Sequence, residues 1–414
     1  MKLLILAETI DVISNSAGKA NYAFVQSLLS AGFEISVYHY SYKEILLPIV
    51  QPVLIQEKKT DINYWLSRGQ RVLQRITKKT FSKLLENRFG FSFTFFNDVN
   101  SMVSALKPLS VQDYDLVLTL SKGASYRTHA ALLKLPEWHA KWLAYIHDPY
   151  PFHWYPKPYD WVQPGSVQKE VFFKKVAQKA QWLGYPSQCL QDWMGTFDAH
   201  FKTKGIVLPH QPSEAKVEES IFPEFFDPDH FNVLHAGNLL KQRDPFPLIQ
   251  AWNLFLEKYP EAQTHAKLLL IGPGAYHEPE LSKVCKETET IYRYSGSMDY
   301  EQVRLLEHQS AVNIVLEAAA EVSPFLPAKF PNLVKANLPM LHLGPKHSEV
   351  RRLLGDDYQY VSEAGNIQTI YKLLIKLYDA WSLNKDFQLS TEIKEYFSSK
   401  YLGELIKGII ENKN

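Results

Sequence analysis

Short apolar runs alternate with helix-length amphipathic stretches almost from one end of the chain to the other. Residues 3–7 read as a strand, 18–29 as a helix ending near Gly32, and 34–38 as a second strand. Further strand-like runs follow at 115–120, 141–146 and 206–208, each after a plausible helix. The pattern then pauses, because residues 211–230 mix Pro212, Pro223 and Pro228 with acids and phenylalanines and carry no clear period. Beyond this linker the alternation restarts. Strands are predicted at 232–236, 266–271, 290–294, 312–315 and 339–343, and helices at 245–258, 279–286, 299–308, 348–354, 367–381 and 391–410. Strands this uniformly apolar belong to parallel sheets covered by helices on both faces.

The fold class is therefore α/β, with two doubly wound, Rossmann-like domains facing each other across a cleft. The expected boundaries are 1–210 for the first domain, 211–230 for the linker and 231–385 for the second domain. A last helical segment at 386–414 is free to cross back to the first. In such folds ligands bind outside the carboxyl ends of the strands, so the residues just after strands are where chemistry is sought.

Composition narrows the function. Lys plus Arg is 45 and Asp plus Glu is 44, a formal charge of +1. That balance excludes a nucleic-acid binder held by bulk charge. Cys189 and Cys285 are the only two cysteines, too few for a disulfide scaffold or a cysteine zinc site. The opening apolar run meets Glu8 too early for a secretory signal, and the run at 46–55 is broken by Pro48 and Pro52, well short of the ~20 residues of a membrane span. The reading is a cytoplasmic protein, associated with the cytoplasmic face of a membrane if it touches one.

Several motif matches fail. Gly18-Lys19 resembles the end of a P-loop, but Ile13 stands where its first glycine belongs and Ala20 replaces the hydroxyl residue. Gly272-Pro273-Gly274 follows a strand, yet His277 sits where a dinucleotide fingerprint needs its third glycine. Asp227 and Asp229 form an acid pair inside the linker, away from any strand end. No metal site is expected.

One stretch survives. After the 312–315 strand come Glu317 and then Ser323-Pro324-Phe325-Leu326-Pro327-Ala328-Lys329, a helix to Asn337, and the strand beginning at Pro339. Pro331 is tolerable only in the first turn, and Asn337 suits a left-handed cap. The start of that helix is expected to offer free N–H groups and a positive dipole end to a phosphate, with Lys329 adding a full charge.

Here the sequence resembles the GT-B glycosyltransferases, in particular the group-1, family-4-like retaining enzymes. Their Pro-Ser-Lys-x-x-Glu-Tyr-Leu-Ala-x-Gly-x-Pro motif aligns without a gap on residues 327–339, from Pro327 to Pro339. Asn332 stands where that family carries the Glu that holds the ribose hydroxyls; an amide can still bond a hydroxyl but brings no charge. The stretch His235-Ala236-Gly237-Asn238-Leu239-Leu240-Lys241-Gln242-Arg243-Asp244-Pro245 is similar to the family's Gly-x-Leu-x-x-x-Arg-x-Pro segment, whose basic residue faces the donor diphosphate. Arg243 is the better match and Lys241 the second. Gly272, and Ser295-Gly296 after Tyr294, fall at the family's next strand ends, where backbone meets the nucleotide base.

In the first half, Gly18 is what survives of the family's glycine-rich loop near the transferred sugar. The 141–146 strand leads to His147-Asp148-Pro149, similar to the family's acid and proline at the cleft edge. Asp148 equally suits the cap of the turn before Pro149, and His147 equally suits a packed interior ring. What the resemblance implies is a sugar transferase using a UDP- or GDP-sugar as donor, with no permanently bound cofactor. Asp148, His147, Arg243 and Lys329 would be at the reacting centre. Gly18, Gly237, Asn238, Lys241, Gly272, Ser295, Gly296, Ser323, Pro324, Phe325 and Asn332 would line the donor site. The acceptor would be a glycan or a lipid-linked glycan. A non-catalytic partner subunit, motivated by Asn332, and a sugar-nucleotide epimerase are the alternatives.

Two features belong to the acceptor side. Residues 65–85 hold Arg68, Arg71, Arg75, Lys78, Lys79 and Lys83 with no acid, while Trp65, Leu66, Val72, Leu73, Ile76 and Leu84 recur at helical spacing. Basic amphipathic helices lie on anionic membranes; a helix packed on a sheet with a solvated basic face has the same pattern. Residues 150–161 pack six aromatic rings among prolines directly after Asp148, suited to the flat faces of sugars or simply to their own domain.

Overall fold

The structure, a computed structural model, describes residues 1–13, 16–46, 50–78, 81–213 and 221–411. The chain divides into two compact units, one formed by residues 1–155, 160–210 and 398 onward, the other by 156–159 and 211–397. Part of the expected linker, 214–220, lies outside the described residues.

The first unit runs β1 (Lys2–Ala7), α1 (Ser16–Ser30), β2 (Glu34–His39), β3 (Val53–Leu54), α2 (Ile62–Thr77), α3 (Ser82–Phe89), α4 (Phe93–Leu106), β4 (Leu116–Leu120) and α5 (Arg127–Leu133). It continues with β5 (Trp142–Tyr145), α6 (Ser166–Lys179), β6 (Trp182–Tyr185), α7 (Gln188–Gly195), α8 (Ala199–Thr203) and β7 (Gly205–Val207). Its seven strands form one sheet in the order β3-β2-β1-β4-β5-β6-β7. All pairings are parallel, with Ile5 level with Val37 on one side and Leu118 on the other. Because β1 is apolar at every interior position, its alternate side chains serve two cores. Leu4 and Leu6 pack with Val99, Met102 and Trp142, while Leu3, Ile5 and Ala7 pack with Phe24, Val25 and Leu28 of α1.

The second unit comprises β8 (Phe231–Ala236), α9 (Phe246–Lys258), β9 (Ala266–Ile271), α10 (Glu278–Glu287), β10 (Ile291–Tyr294), α11 (Tyr300–Gln309), β11 (Val312–Leu316) and β12 (Val322–Ser323). Then come α12 (Phe330–Ala336), β13 (Met340–Leu343), β14 (His347–Ser348), α13 (Glu349–Leu354), β15 (Val361–Ser362), α14 (Ile367–Ser382) and α15 (Thr391–Tyr396). The six-stranded parallel sheet has the order β10-β9-β8-β11-β13-β15, and β12 pairs with β14 beside it. Val233, Leu268, Ile314 and Leu341 face a core built with α9 and α14; Val315 and Met340 face Phe330 and Leu333 of α12. Asn337 closes α12 in the left-handed conformation at φ 56°, its N–H shared between the carbonyls of Leu333 and Val334.

Some elements depart from the pattern-based expectation, among them the two-residue strands β3, β12 and β14. The strand β6 was hidden by its length and by Gly184, where a Cβ would come within 2.9 Å of the Tyr145 ring. The two-residue β15 is too short to carry a period. The predicted helix at 391–410 is two helices, because Phe397 is buried in the second unit's core. Ser398 then caps the next helix, α16 (Ser399–Glu411), accepting from Tyr401 N–H at 3.1 Å. Leu402, Ile406 and Ile409 of α16 complete the α1 side of the first unit's core. Gly403 permits that approach, since a Cβ there would lie 2.7 Å from the Ala31 Cβ.

Acid lability follows from the first unit's interior. Burial lowers the His129 pKa to about 3 and those of His39 and His210 to about 4, from an ordinary 6.5. Unfolded, these rings take up protons as the pH falls through 6.5; folded, they do not until 3–4. The unfolded state therefore binds more protons in that window, and stability falls as the pH is lowered through it. Urea midpoints measured between pH 7 and pH 4 should drop steadily; a flat profile would contradict this burial.

Candidate functional site

Each sheet reverses its strand order at its centre, between β1 and β4 in the first unit and between β8 and β11 in the second. Helices after the two central strands leave on opposite faces there, and the carboxyl ends of the strands open a crevice.

In the second unit, β8 is followed by Gly237, whose N–H bonds the Ile271 carbonyl at 2.8 Å, while Gly272 N–H bonds the Tyr294 carbonyl at 2.9 Å. Gly272 has φ 127°, and a Cβ on it would lie 2.4 Å from the Gly237 oxygen, so glycine is required for the close approach of these strand ends. Beside them lie three basic side chains. The Lys329 ammonium donates to the Ile314 carbonyl of β11 at 2.8 Å. Burial, reinforced by the nearby Arg243 and opposed by Glu307, brings its pKa down to about 8. His235, on β8, is 2 % exposed. Its ring is held well below the usual histidine range, first by burial and then by Lys329 and Arg243. It lies near the Ile314 carbonyl, but that oxygen takes the lysine, and neither ring nitrogen is hydrogen-bonded among the described residues. The Arg243 Nε is likewise buried without a partner. Two cations and a neutral imidazole thus converge with hydrogen-bonding capacity unspent, which is the chemistry of an anion site.

Other expected donor-site residues are arranged differently. The N–H groups at the start of α12 are not free. Phe330 N–H bonds Pro327 O at 2.8 Å, Asn332 N–H bonds Lys329 O at 3.0 Å, and Pro331 has none. The positive charge at this corner therefore comes from side chains rather than from the helix end. The amide of Asn332 is buried and turned to the protein: its Oδ1 accepts from Ser213 N–H at 2.9 Å and its Nδ2 donates to the Tyr300 hydroxyl at 3.2 Å. Ser323 donates to Glu317 Oε1 at 2.7 Å, and the other carboxylate oxygen pairs with His342 Nε2 at 2.7 Å. The serine thus meets the acid rather than the imidazole, so the three do not form a nucleophile relay. Pro324 is buried and Phe325 packs edge-on to Tyr159, ring centroids 5.8 Å apart. Asn238, Lys241 and Ser295 are exposed, Lys241 over the Tyr276 ring at 5.6 Å, and Gly296 leaves room for the Tyr294 ring.

In the first unit, the loop of the expected glycine motif is described except for residues 14 and 15. A Cβ on Gly18 would lie 2.0 Å from the Asp11 carbonyl oxygen, so this glycine lets α1 start directly over the end of β1. Asn21 then reaches into the crevice and donates to the carbonyls of Thr9 and Ser121, at 2.9 and 3.1 Å, tying the ends of β1 and β4 together. His147 is buried, edge-on to Tyr145 and stacked on His210 with centroids 5.8 Å apart. Burial, with His210 and His129 nearby, keeps it neutral, and its Nε2 has no partner among the described residues. Asp148 is half-buried at the end of β5, its carbonyl accepting from the Tyr126 hydroxyl at 2.7 Å.

Sequence reasoning missed the charge network of this crevice. Glu8, immediately after β1, accepts from Arg127 Nη1 at 2.8 Å, from Lys122 N–H at 3.2 Å and from the Ser125 hydroxyl. Arg127 Nε donates to Asp98 at 2.9 Å, and Tyr40 and Tyr42 donate to the same carboxylate. Burial pushes the Asp98 carboxyl up against the pull of Arg127. An acid directly after the first strand was the available signal; its partner Arg127 on α5 is 119 positions away, and Arg127's second acid, Asp98, lies on α4, with no motif in common. Among the described residues no group of three His, Cys, Asp or Glu is placed to hold a metal ion.

Two parallel-sheet units with these strand orders define the GT-B fold of nucleotide-sugar glycosyltransferases. The chain is similar to trehalose-6-phosphate synthase OtsA, with a TM-score of 0.62 at 11% identity over 99% of each chain. It is similar to an E. coli structure bound with UDP-2-fluoro glucose, with a TM-score of 0.58 at 12% identity over 100% of this chain and 97% of that one. A third likeness is to Anabaena HepE in complex with UDP and glucose, at 0.60 and 11% over 100% of both chains. At these identities the likeness establishes the fold. No family model and no curated protein sequence matches the chain.

Gly18→Ala separates a packing role from a loop that merely passes near a ligand. The added methyl must displace α1 or the Asp11 backbone, at a cost of about 1–3 kcal/mol in stability. Chemical denaturation should show that loss without any ligand present; an unchanged midpoint would mean that the close approach to Asp11 is not there.

Proposed function

We propose that the protein is a glycosyltransferase that moves a sugar from a nucleoside-diphosphate sugar, UDP- or GDP-linked, to a glycan or lipid-linked glycan, with retention of configuration. The observation that carries this reading is the convergence of Arg243, Lys329 and His235 at the strand-order reversal of the second unit. The relatives in complex with UDP, or with a fluorinated UDP-glucose, support it as a class. The protein works at the cytoplasmic face of an anionic membrane, which the segment 65–85 contacts.

In this reading the bond between the sugar's anomeric carbon and the β-phosphate oxygen breaks while the acceptor oxygen bonds the same carbon from the same face. The acceptor's proton passes to the departing phosphate, so no separate base is obligatory, and Asp148 orients the acceptor hydroxyl. Negative charge on the diphosphate grows as the bond breaks. Groups aimed at it, the Arg243 guanidinium and the Lys329 ammonium, stabilise the transition state more than the ground state. Gly237, Gly272 and Gly296 let backbone approach the nucleotide, with Asn238, Lys241, Ser295, Ser323, Pro324 and Phe325 around it.

Asn332 favours one second reading, a non-catalytic partner that binds donor or acceptor without turnover, because its amide is already engaged by Ser213 and Tyr300 rather than presented to a ribose. Donor hydrolysis by the purified protein, with and without acceptor, decides between them.

Two outcomes are expected of the transferase. Arg243→Ala and Lys329→Ala each lower kcat by roughly 10²–10³, while stability changes little, since losing one buried cation relieves its desolvation. The Lys329 ammonium is lost as the pH rises through about 8, so kcat falls on that limb, and Lys329→Arg should move the fall to far higher pH. The same shift has a second signature. A lysine titrating near 8 when folded and at 10.5 when unfolded makes stability rise with pH between those values. Near-normal turnover of both alanine variants at saturating donor would place the donor site elsewhere.

A further inference from the structure

The helix α2 is built inside out. Ile62, Trp65, Leu66, Val72, Leu73 and Ile76 recur at the three- and four-residue spacing of a single helical stripe, and every one of them is exposed, Trp65 by 65 % and Ile76 by 74 %. The side turned to the protein is polar. Ser67 is the helix's buried residue, Gln74 donates to Ser82 of α3 at 2.9 Å, and the capping Asp61 accepts from Asn100 of α4 at 2.8 Å. Burying polar groups while exposing a wide apolar stripe costs stability unless something covers the stripe.

The charges beside the stripe say what covers it. Arg68 and Arg75 flank the apolar stripe, the exposed Arg71 folds back to Ser67, Lys78 ends the helix in a left-handed conformation, and Lys83 follows on α3 next to the exposed Leu84. Lys79 lies outside the described residues. From residue 62 to 85 there is no acid. Of the flanking cations, Arg68 alone has an acidic partner among the described residues, the 3.4 Å pair with Glu57. A second protein surface would need to supply both an apolar groove and a row of acids; an anionic bilayer supplies both at once, with acyl chains below and phosphates at the level of the guanidinium groups. Trp65 has the amphipathic ring that settles at the headgroup boundary. No helix among the described residues is long and apolar enough to cross a membrane, so the contact is one of lying in the interface rather than spanning it.

We infer that α2, with the start of α3, is a lipid-embedding element: the apolar stripe enters the headgroup region of an anionic membrane, and Arg68, Arg71, Arg75, Lys78 and Lys83 bind its phosphates. This deepens the membrane contact of the transferase reading and rests on that reading for its purpose alone. The helix is fastened to α4, whose Asp98 joins Arg127 and Glu8 in the first unit's crevice, so the element that meets lipid is continuous with the one that lines that crevice.

The test is vesicle co-sedimentation of the full chain, without donor or acceptor, on phosphatidylcholine alone and on phosphatidylcholine mixed with phosphatidylglycerol. Binding is expected on the anionic vesicles. The pair Arg71→Gln and Arg75→Gln should weaken it roughly thirtyfold at low salt, and Trp65→Ser with Ile76→Ser should abolish it with the fold intact by circular dichroism. Lipids brominated near the headgroup should quench wild-type fluorescence more than that of Trp65→Phe. Equal binding by the stripe variant, or no extra quenching at Trp65, would overturn the inference. So would a wild-type dimer in lipid-free sedimentation that the stripe variant converts to monomer, since the stripe would then be covered by a second copy. Sugar transfer to a soluble acceptor is measured separately, so loss of vesicle binding leaves the transferase reading standing, and absent transfer leaves the membrane contact standing.

Discussion

Where a doubly wound sheet reverses its strand order, the two central strands end side by side and their helices depart in opposite directions, leaving backbone and side chains there without cover. This chain meets that constraint twice, and meets it differently. In the first unit an ion-pair network occupies the crevice: Arg127 joins Glu8 to Asp98, and Asn21 bridges the two strand ends, while Asn21 Oδ1 and His147 Nε2 stay unbonded among the described residues. In the second unit it is left cationic and incomplete, with the Arg243 Nε and both nitrogens of His235 unbonded among the described residues. A buried polar group without a partner costs about 1–3 kcal/mol. The second crevice differs in its charge, because Lys329 and Arg243 meet there beside His235.

How much of this was legible follows from the range of the interactions. The sheets were legible, because a buried parallel strand writes its burial into consecutive residues such as 266–271. The left-handed cap at Asn337 was legible too, since it is a local matter. Asn332 was legible as a departure from the family motif, but its engagement with Ser213, 119 positions away, was not. Nor was the saturation of the first turn of α12, because the sequence shows where a helix starts and not which carbonyls turn back toward it. The Glu8 network lies beyond any local signal for the same reason.

The helix α2 shows the opposite limit. Its amphipathic pattern was plain in the sequence, but pattern alone does not say which face is inward, and the usual answer is the apolar one. Ser67, Gln70 and Gln74 reverse it: the small Ser67 bonds back to the Tyr64 carbonyl of its own helix and the two amides donate to Ser82 of α3, which leaves the apolar stripe to face outward. Which face turns inward is thus decided by the neighbours, not by the helix.

The account stands or falls on where a nucleoside diphosphate binds. A crystal structure of the protein soaked with UDP, and separately with GDP, measures that directly. The diphosphate should sit at the carboxyl ends of β8 and β11, with oxygens in contact with Arg243 and Lys329 and with His235 beneath Gly237. Diphosphate density in the first unit's crevice beside Glu8, or none beside Arg243 at saturating nucleotide, would contradict it.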